Sequence, residues 1–544
     1  MVTQHGIKYA VHLITTHFGD LVAKVCECLL RKGPLTLQAI VRFTELTSSQ
    51  VKNSLLVLIQ HNCVQAFILE QLGSHGDGAK LNTQYIALFN NIIHRWRFPK
   101  FLTIVSQKLD KQCVELFEAL LLHGRLTLKQ MSDRAKSAQN EGNDIPISEI
   151  ILVHLINIKY IPGDDVILDA VREAFIKLLN AHFVERCPAA ESVLTKPTEE
   201  ETSARKRVPK SAKILEGKET LEQRVLEAAT PSEALRFLLV TRTEPAADGG
   251  KDENNSSNMT VGKKRKLDAL ESETEGEATD EQVVLWRANF EEFIRRLRHK
   301  AFIENVRACL DDGAVIVISA MLEATRTAEK KVKTENSVPL SLNSIYEEVI
   351  KSEEGRNITF DRVRASLVQL SCPPFVKAVN ESYSIDFKKI IELAQNDEVE
   401  SIVLKRYGRD AYRMFRLLSS TARLLETDKI ADTAFVEKKD TTKILYKLWK
   451  DDYLHMEKLQ LTGARQSQFL LWKVNKNTLW EHVLDEMFHA ALNLSLRVAH
   501  ELEQEKELLN LPQDKRVNRL RKVRLLLESS QMKLDDAIML FHDF

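Results

Sequence analysis

Few residues able to do chemistry stand at spacings that would let them act together. Gly73-Ser-His-Gly-Asp-Gly78, followed by Ala79-Lys80, nearly spells a phosphate-binding loop, whose Gly-rich backbone cradles phosphates and leads into a Lys and a helix. Here Ala79 stands where the Lys is needed and no helix pattern follows, so a turn between two strands is the better reading. His500-Glu501 opens like a zinc-hydrolase helix but lacks a second His four residues beyond the first. There is no Gly-x-Ser-x-Gly elbow and no carboxylate cluster among Gly turns for an ion-binding loop. The seven cysteines (26, 28, 63, 113, 187, 309, 372) are scattered. Cys26 and Cys28, two apart, fall on different sides of a helix, which suits neither a zinc pair nor a disulfide. The sequence therefore implies no catalytic residue, no metal and no cofactor. It implies buried, reduced thiols of a cytosolic or nuclear chain.

What remains is basic side chains on helix faces, and the elements carrying them follow a repeating order. Between His17 and Leu88 come helices over Leu21–Leu30, Leu37–Phe43 and Val51–Gln60, then extended runs Cys63–Leu69 and Tyr85–Leu88 around the Gly-rich turn. Helix–helix–helix–hairpin is the order of a winged helix, in which the third helix and the wing face a nucleic acid or a partner. Leu126-Thr127-Leu128 echoes Leu35-Thr36-Leu37, each just after a Gly: Gly ends one helix and Thr caps the next.

Composition agrees with a helical, multi-domain protein. The 544 residues are too many for one core, 44% are hydrophobic, and there are only 18 Gly and 13 Pro. Net charge is zero, so any DNA contact comes from local patches. No run approaches the roughly 20 apolar residues of a membrane span, and the N-terminus lacks a leader pattern, which implies a soluble, intracellular protein.

The fold expected is mainly α with small β wings: four tandem winged-helix domains plus a C-terminal antiparallel coiled-coil hairpin. Residues 1–100 make the first module, closed by the basic aromatic strip Arg95-Trp-Arg-Phe-Pro-Lys-Phe101, either a packed connector or a nucleic-acid contact. Residues 101–188 make the second, with its third helix over Ser148–Ile158, an extended piece at Tyr160–Ile167 and a helix over Val171–Phe183. Residues 189–280 read as a largely disordered charged linker, apart from a short helix within Leu221–Val240. Residues 281–388 make the third module, entered by an apolar helical stripe over Val283–Leu310. Residues 389–474 make the fourth, and 475–544 the hairpin, with a break at Leu511-Pro512.

On the third-helix faces the candidates for DNA contact are Lys52 and Asn53, Arg362 and Arg364, and Lys438, Lys439, Lys443 and Lys447; the last group is the most basic. Module two offers only Glu149, His154 and Asn157. In the linker, Arg205-Lys-Arg207 and especially Lys263, Lys264, Arg265 and Lys266 read as nuclear import signals, with plain solvation as the alternative.

Six phrases carry a family resemblance: Leu56-Val-Leu-Ile-Gln-His-Asn62, Arg97-Phe-Pro-Lys-Phe101, Leu121-Leu-His-Gly-Arg-Leu-Thr127, His182-Phe-Val-Glu-Arg-Cys-Pro188, Leu285-Trp-Arg-Ala-Asn-Phe-Glu291 and Phe469-Leu-Leu-Trp-Lys-Val-Asn475. In this order they resemble the third subunit of eukaryotic DNA-directed RNA polymerase III, a relative of the large subunit of general transcription factor E. The resemblance implies a nuclear, non-catalytic subunit. It joins two polymerase III-specific partners on the clamp of the largest subunit, holds promoter DNA and helps it open for transcription of tRNA and 5S rRNA. It implies neither a membrane nor a small-molecule ligand. The zinc ribbon of the transcription-factor relative has no Cys pairs here. Two alternatives stand beside it: a free DNA-binding transcription factor, which zero net charge argues against, and a cullin-like or proteasome-lid-like winged-helix scaffold, which would need helical repeats upstream.

Overall fold

A computed structural model describes residues 2–71, 80–140, 164–189, 192–194, 221–239, 284–326, 328–329, 333–372, 374–421, 423–461, 467–507 and 513–544. The Gly73–Gly78 turn, the helix expected over Ser148–Ile158, both basic clusters and the Leu511-Pro512 break lie outside these residues. The fold is mostly helical with small sheets, and its contacts gather into two compact units.

The first unit comprises Met1–Leu58, Ile86–Arg97 and Phe290–Phe544. It opens with a helix, Gln4–Phe18, that the repeat pattern did not reveal; Thr3 caps it and Gly19, at φ 83°, ends it. The helix packs on Lys476–Glu507, whose hairpin partner is Gln513–His542. Gly6 permits the approach, since a Cβ there would sit 3.2 Å from both Phe488 and Phe89. Gln531 Nε2 donates to Ser495 Oγ at 2.6 Å and to Tyr9 OH at 3.3 Å, tying all three helices. Beside them Arg97, fully buried, pairs with Asp535 at 2.8 Å and Asp543 at 2.6 Å. The basic aromatic strip therefore spends its central cation on internal packing.

Two helix trios in this unit repeat one plan. Asp312–Arg326, Leu342–Lys351 and Phe360–Leu370 enclose Val315, Ile318, Ile345, Val363 and Leu367. A hairpin, Val376–Val379 with Ser382–Ile385, turns through Asn380 and Glu381, both at positive φ. The short strand Leu340–Ser341, just before the second helix, pairs with the returning strand. Arg409–Thr421, Thr427–Ala434 and Lys438–Lys450 repeat the trio, His455–Leu461 with Ser467–Lys473 repeat the hairpin, and Leu425–Glu426 repeats the short strand. Buried Trp472 locks this copy by donating its Nε1–H to Thr427 Oγ1 at 2.9 Å.

The second unit comprises Ile59–Tyr85 and Phe98–Asn289. Lys111–His123 ends at Gly124, φ 79°, and Thr127 caps Leu128–Asn140 reciprocally with Gln130: Gln130 N donates to Thr127 Oγ1 at 3.2 Å and Thr127 N to Gln130 Oε1 at 3.0 Å. The Gly-then-Thr echo is thus a helix stop followed by a cap.

Here the structure corrects three expectations. The apolar stripe over Val283–Leu310 is not one helix. Trp286–Ala288 is a strand, antiparallel to Val184–Arg186, and the helix starts at Phe290. Leu126 bridges Trp286 with both backbone bonds, at 3.1 and 2.8 Å. The order, short strand, returning strand, outgoing strand, is that of the other two sheets. The stretch expected as an inter-domain linker is therefore a long excursion between the two wing strands of module two. Sequence periodicity cannot show this, because the pairing is non-local. Within that excursion, Ser192–Leu194 pairs in parallel with Phe67–Leu69, and Leu221–Ala229 closes on it, with Ala189 N donating to Ala229 O at 2.8 Å. Lastly, Asp164–Ile167 is the opening of a helix, Asp164–Asn180, where an extended piece was expected. The β-branched Val166-Ile167 masked the paired Asp residues that favour a helix start.

Candidate nucleic-acid interface

Lys438–Lys450 presents the densest basic surface among the helices that occupy the third position of a trio. Its inner face buries Thr441, Leu445 and Leu448, which leaves Lys438, Lys439, Lys443, Tyr446, Lys447 and Lys450 exposed. Lysines in a first helical turn oppose the helix dipole, whose N-terminal end is positive. Local stability thus argues against Lys438 and Lys439, whereas a phosphate would find dipole, free backbone N–H groups and lysines aligned there.

The lysines are not equivalent. Lys438 Nζ lies 3.2 Å from Asp428, and Lys443 Nζ lies 3.1 Å from Asp440. Lys447 Nζ sits 5.2 Å from the centre of the Tyr407 ring. Lys439 has no ion-pair partner among the described residues. Exposed pairs of this kind are worth about 0.2–1 kcal/mol and exchange readily for phosphate.

The remaining candidates are dispersed. Lys52 and Asn53 are exposed on Ser48–Gln60. On Phe360–Leu370, Arg362 Nη2 donates to Asp311 Oδ2 at 2.7 Å and its guanidinium lies against Gly313, so it braces two helices. Arg364 is exposed. The structure therefore assembles four candidates on one helix and leaves the rest on two others, while Lys263, Lys264, Arg265 and Lys266 fall outside the described residues.

One residue at this surface escaped sequence reasoning. Phe435, just before the basic helix, is 90% exposed and holds the left-handed conformation at φ 55°. Glu45 occupies the same place in module one, at φ 57°. A bulky aromatic in that conformation costs about 1–2 kcal/mol and here gains almost no burial. The only sequence hint was its place, in the apolar pair Phe435-Val436 just before a run of charge.

The thiols also differ from expectation. Cys26, Cys28, Cys63 and Cys113 are buried, but Cys309 and Cys372 are exposed and Cys187 is half-buried. Among the described residues no group of three or more His, Cys, Asp or Glu is placed to hold a metal, and no helix is long and apolar enough to cross a membrane.

Three family models match this chain in sequence order. The RNA polymerase III subunit RPC82 helix-turn-helix domain matches residues 8–68, RNA polymerase III subunit RPC82 matches 173–394, and the POLR3C C-terminal winged-helix domain matches 399–474. The last span contains Lys438–Lys450 and Phe435. Among curated relatives, DNA-directed RNA polymerase III subunit RPC3 of Bos taurus is 24% identical over 525 residues, covering 94% of this chain and 87% of the relative. The Homo sapiens protein of that name is 23% identical with the same coverage, and the Dictyostelium discoideum one is 22% identical, covering 92% of each chain.

Proposed function

The chain belongs to the RPC82/RPC3 family of DNA-directed RNA polymerase III subunits, and from that premise we propose that it is a non-catalytic subunit whose winged-helix modules hold promoter DNA and partner subunits during initiation. As a polymerase III subunit it assembles with other polymerase subunits. The finer reading places it in a polymerase III-specific subcomplex, with two partners and the clamp of the largest subunit, supporting promoter-directed initiation and DNA opening for tRNA and 5S rRNA synthesis in the nucleus.

The observation that carries the DNA part is the Lys438–Lys450 face, where lysines crowd a helix N-terminus against its dipole. These residues provide phosphate contacts, which position a duplex without reading its sequence. Base recognition belongs to other factors on this reading.

The test uses polymerase III carrying Lys438, Lys439, Lys443 and Lys447 all changed to Glu. Promoter-directed initiation should fall strongly, with elongation from a preassembled RNA–DNA scaffold unchanged. Equal initiation by the variant and the parent enzyme would refute the assignment.

A further inference from the structure

In the second compact unit a recess of about 310 Å³ opens beside the turn Gln60-His61 and the helix-to-helix turn His123–Leu126. Its charged and polar lining comprises Arg125, Arg134, His61, His123, Gln60 and Gln130, with no Asp or Glu. Arg125 is only 6% exposed, yet it has no ion-pair partner among the described residues. Its Nε donates to Asn62 Oδ1 at 2.9 Å, while its Nη2 finds no acceptor among the described residues. The neighbouring Cys187 thiol is pushed up to about 11 by burial, and so supplies no counter-charge. A buried guanidinium left half-satisfied is costly, unless something outside the chain completes it.

The surroundings fix the turn that carries this guanidinium. A Cβ on Gly124 would sit 2.1 Å from the Gln60 carbonyl oxygen, so only Gly lets the turn pack there. Gln60 Nε2 donates to the carbonyls of His123 and Arg125, at 2.9 and 2.6 Å. Arg134 Nη1 donates to His123 Nε2 at 2.8 Å; burial and Arg134 lower the His123 pKa and keep that ring a neutral acceptor. The recess is thus a fixed, uncompensated cationic socket.

We propose that it receives a carboxylate side chain from an acidic, partly apolar segment of a partner protein, paired with Arg125. Duplex phosphates lie on a convex surface and meet protruding cations; a guanidinium this deeply buried needs a ligand that reaches in. Leu285, 39% exposed, lines the same recess and offers the apolar contact that a peptide uses and a sugar-phosphate backbone does not.

Fluorescence anisotropy on the full-length chain, with a labelled peptide of glutamate and leucine and with labelled single-stranded DNA as separate probes, tests the assignment. Arg125→Gln should weaken peptide binding at least about tenfold, the loss expected when one member of a buried charge pair is removed. Leu285→Glu, which supplies a competing carboxylate without touching the fold's interior, should weaken it similarly, whereas Leu285→Gln, which removes only the apolar contact, should weaken it less. DNA binding should be unchanged in all three. Failure of the parent chain to bind the peptide, indifference of peptide binding to both Arg125→Gln and Leu285→Glu, or a selective loss of DNA binding would each overturn the proposal.

Discussion

Glu185 accepts a hydrogen bond at 2.8 Å from Arg287, a residue 102 positions further along the chain, and the two face each other in register across an antiparallel strand pair. Glu185 is buried and also pairs with Arg236, so one carboxylate closes the excursion at its two ends and within it. Trp286 stabilises the same closure, its ring edge-on to Phe175 at 5.0 Å.

Glu185→Gln should accordingly destabilise the second unit by about 3–5 kcal/mol, because it strands two guanidinium groups with little exposure. Thermal unfolding would show the loss, and limited proteolysis should cut between the paired strands sooner than in the parent. A change within about 0.5 kcal/mol would mean the strand pair does not depend on this carboxylate.

Lys439→Ala should weaken duplex binding and lower the slope of log affinity against log salt by about one unit. Lys438→Ala and Lys443→Ala should each do less, because Asp428 and Asp440 already screen those charges. Anisotropy titrations at several salt concentrations distinguish the three, and equal slopes for all would deny any special position to Lys439.

Phe435→Asn should raise stability by about 1 kcal/mol, since Asn tolerates the left-handed conformation and an exposed ring forfeits little packing. The same variant should bind single-stranded DNA more weakly, if the exposed ring stacks on bases as aromatic platforms do. A fall in melting temperature would show that the ring packs within the chain after all.

Stability should decline as pH falls below about 6.5. Burial, reinforced by Arg97, depresses the His94 pKa to about 3, so the folded ring stays neutral and accepts from Arg97 Nη1 at 3.1 Å. The unfolded ring takes up its proton near 6.5, which drains stability by at most about 1.4 kcal/mol per pH unit between those values. Asp543 adds to the decline at lower pH. Burial raises its pKa, but Arg97 outweighs that and holds it at about 2, so its contribution fades from about 4 downward. Melting curves between pH 7 and 5 measure the slope; His94→Gln, which keeps an acceptor, should flatten it.

Much of this was legible in the chain because the signals were local. Gly33 and Gly124 do end helices, Thr36 and Thr127 do cap the next ones, and the apolar period of Lys438–Lys450 marks its inner face. The lysines of that helix were visible for the same reason, since residues three and four apart share a face. The N-terminal helix lies outside the helix–helix–helix–hairpin order of the repeat; its buried residues Tyr9, Leu13 and Ile14 belong to a helix that packs on Asp20–Lys32 and also on Lys476–Glu507, nearly the whole chain away.

By itself, then, the sequence determined the helix stops, the caps, the trios and the basic face, all of which depend on residues within a few turns of one another. Only the tertiary structure decided which strand completes the second wing, where Arg97 finds its two carboxylates, and that Arg125 is buried without one among the described residues. Those outcomes depend on residues brought together across sixty or more positions, and neither hydrophobic period nor turn chemistry encodes a partner at that distance.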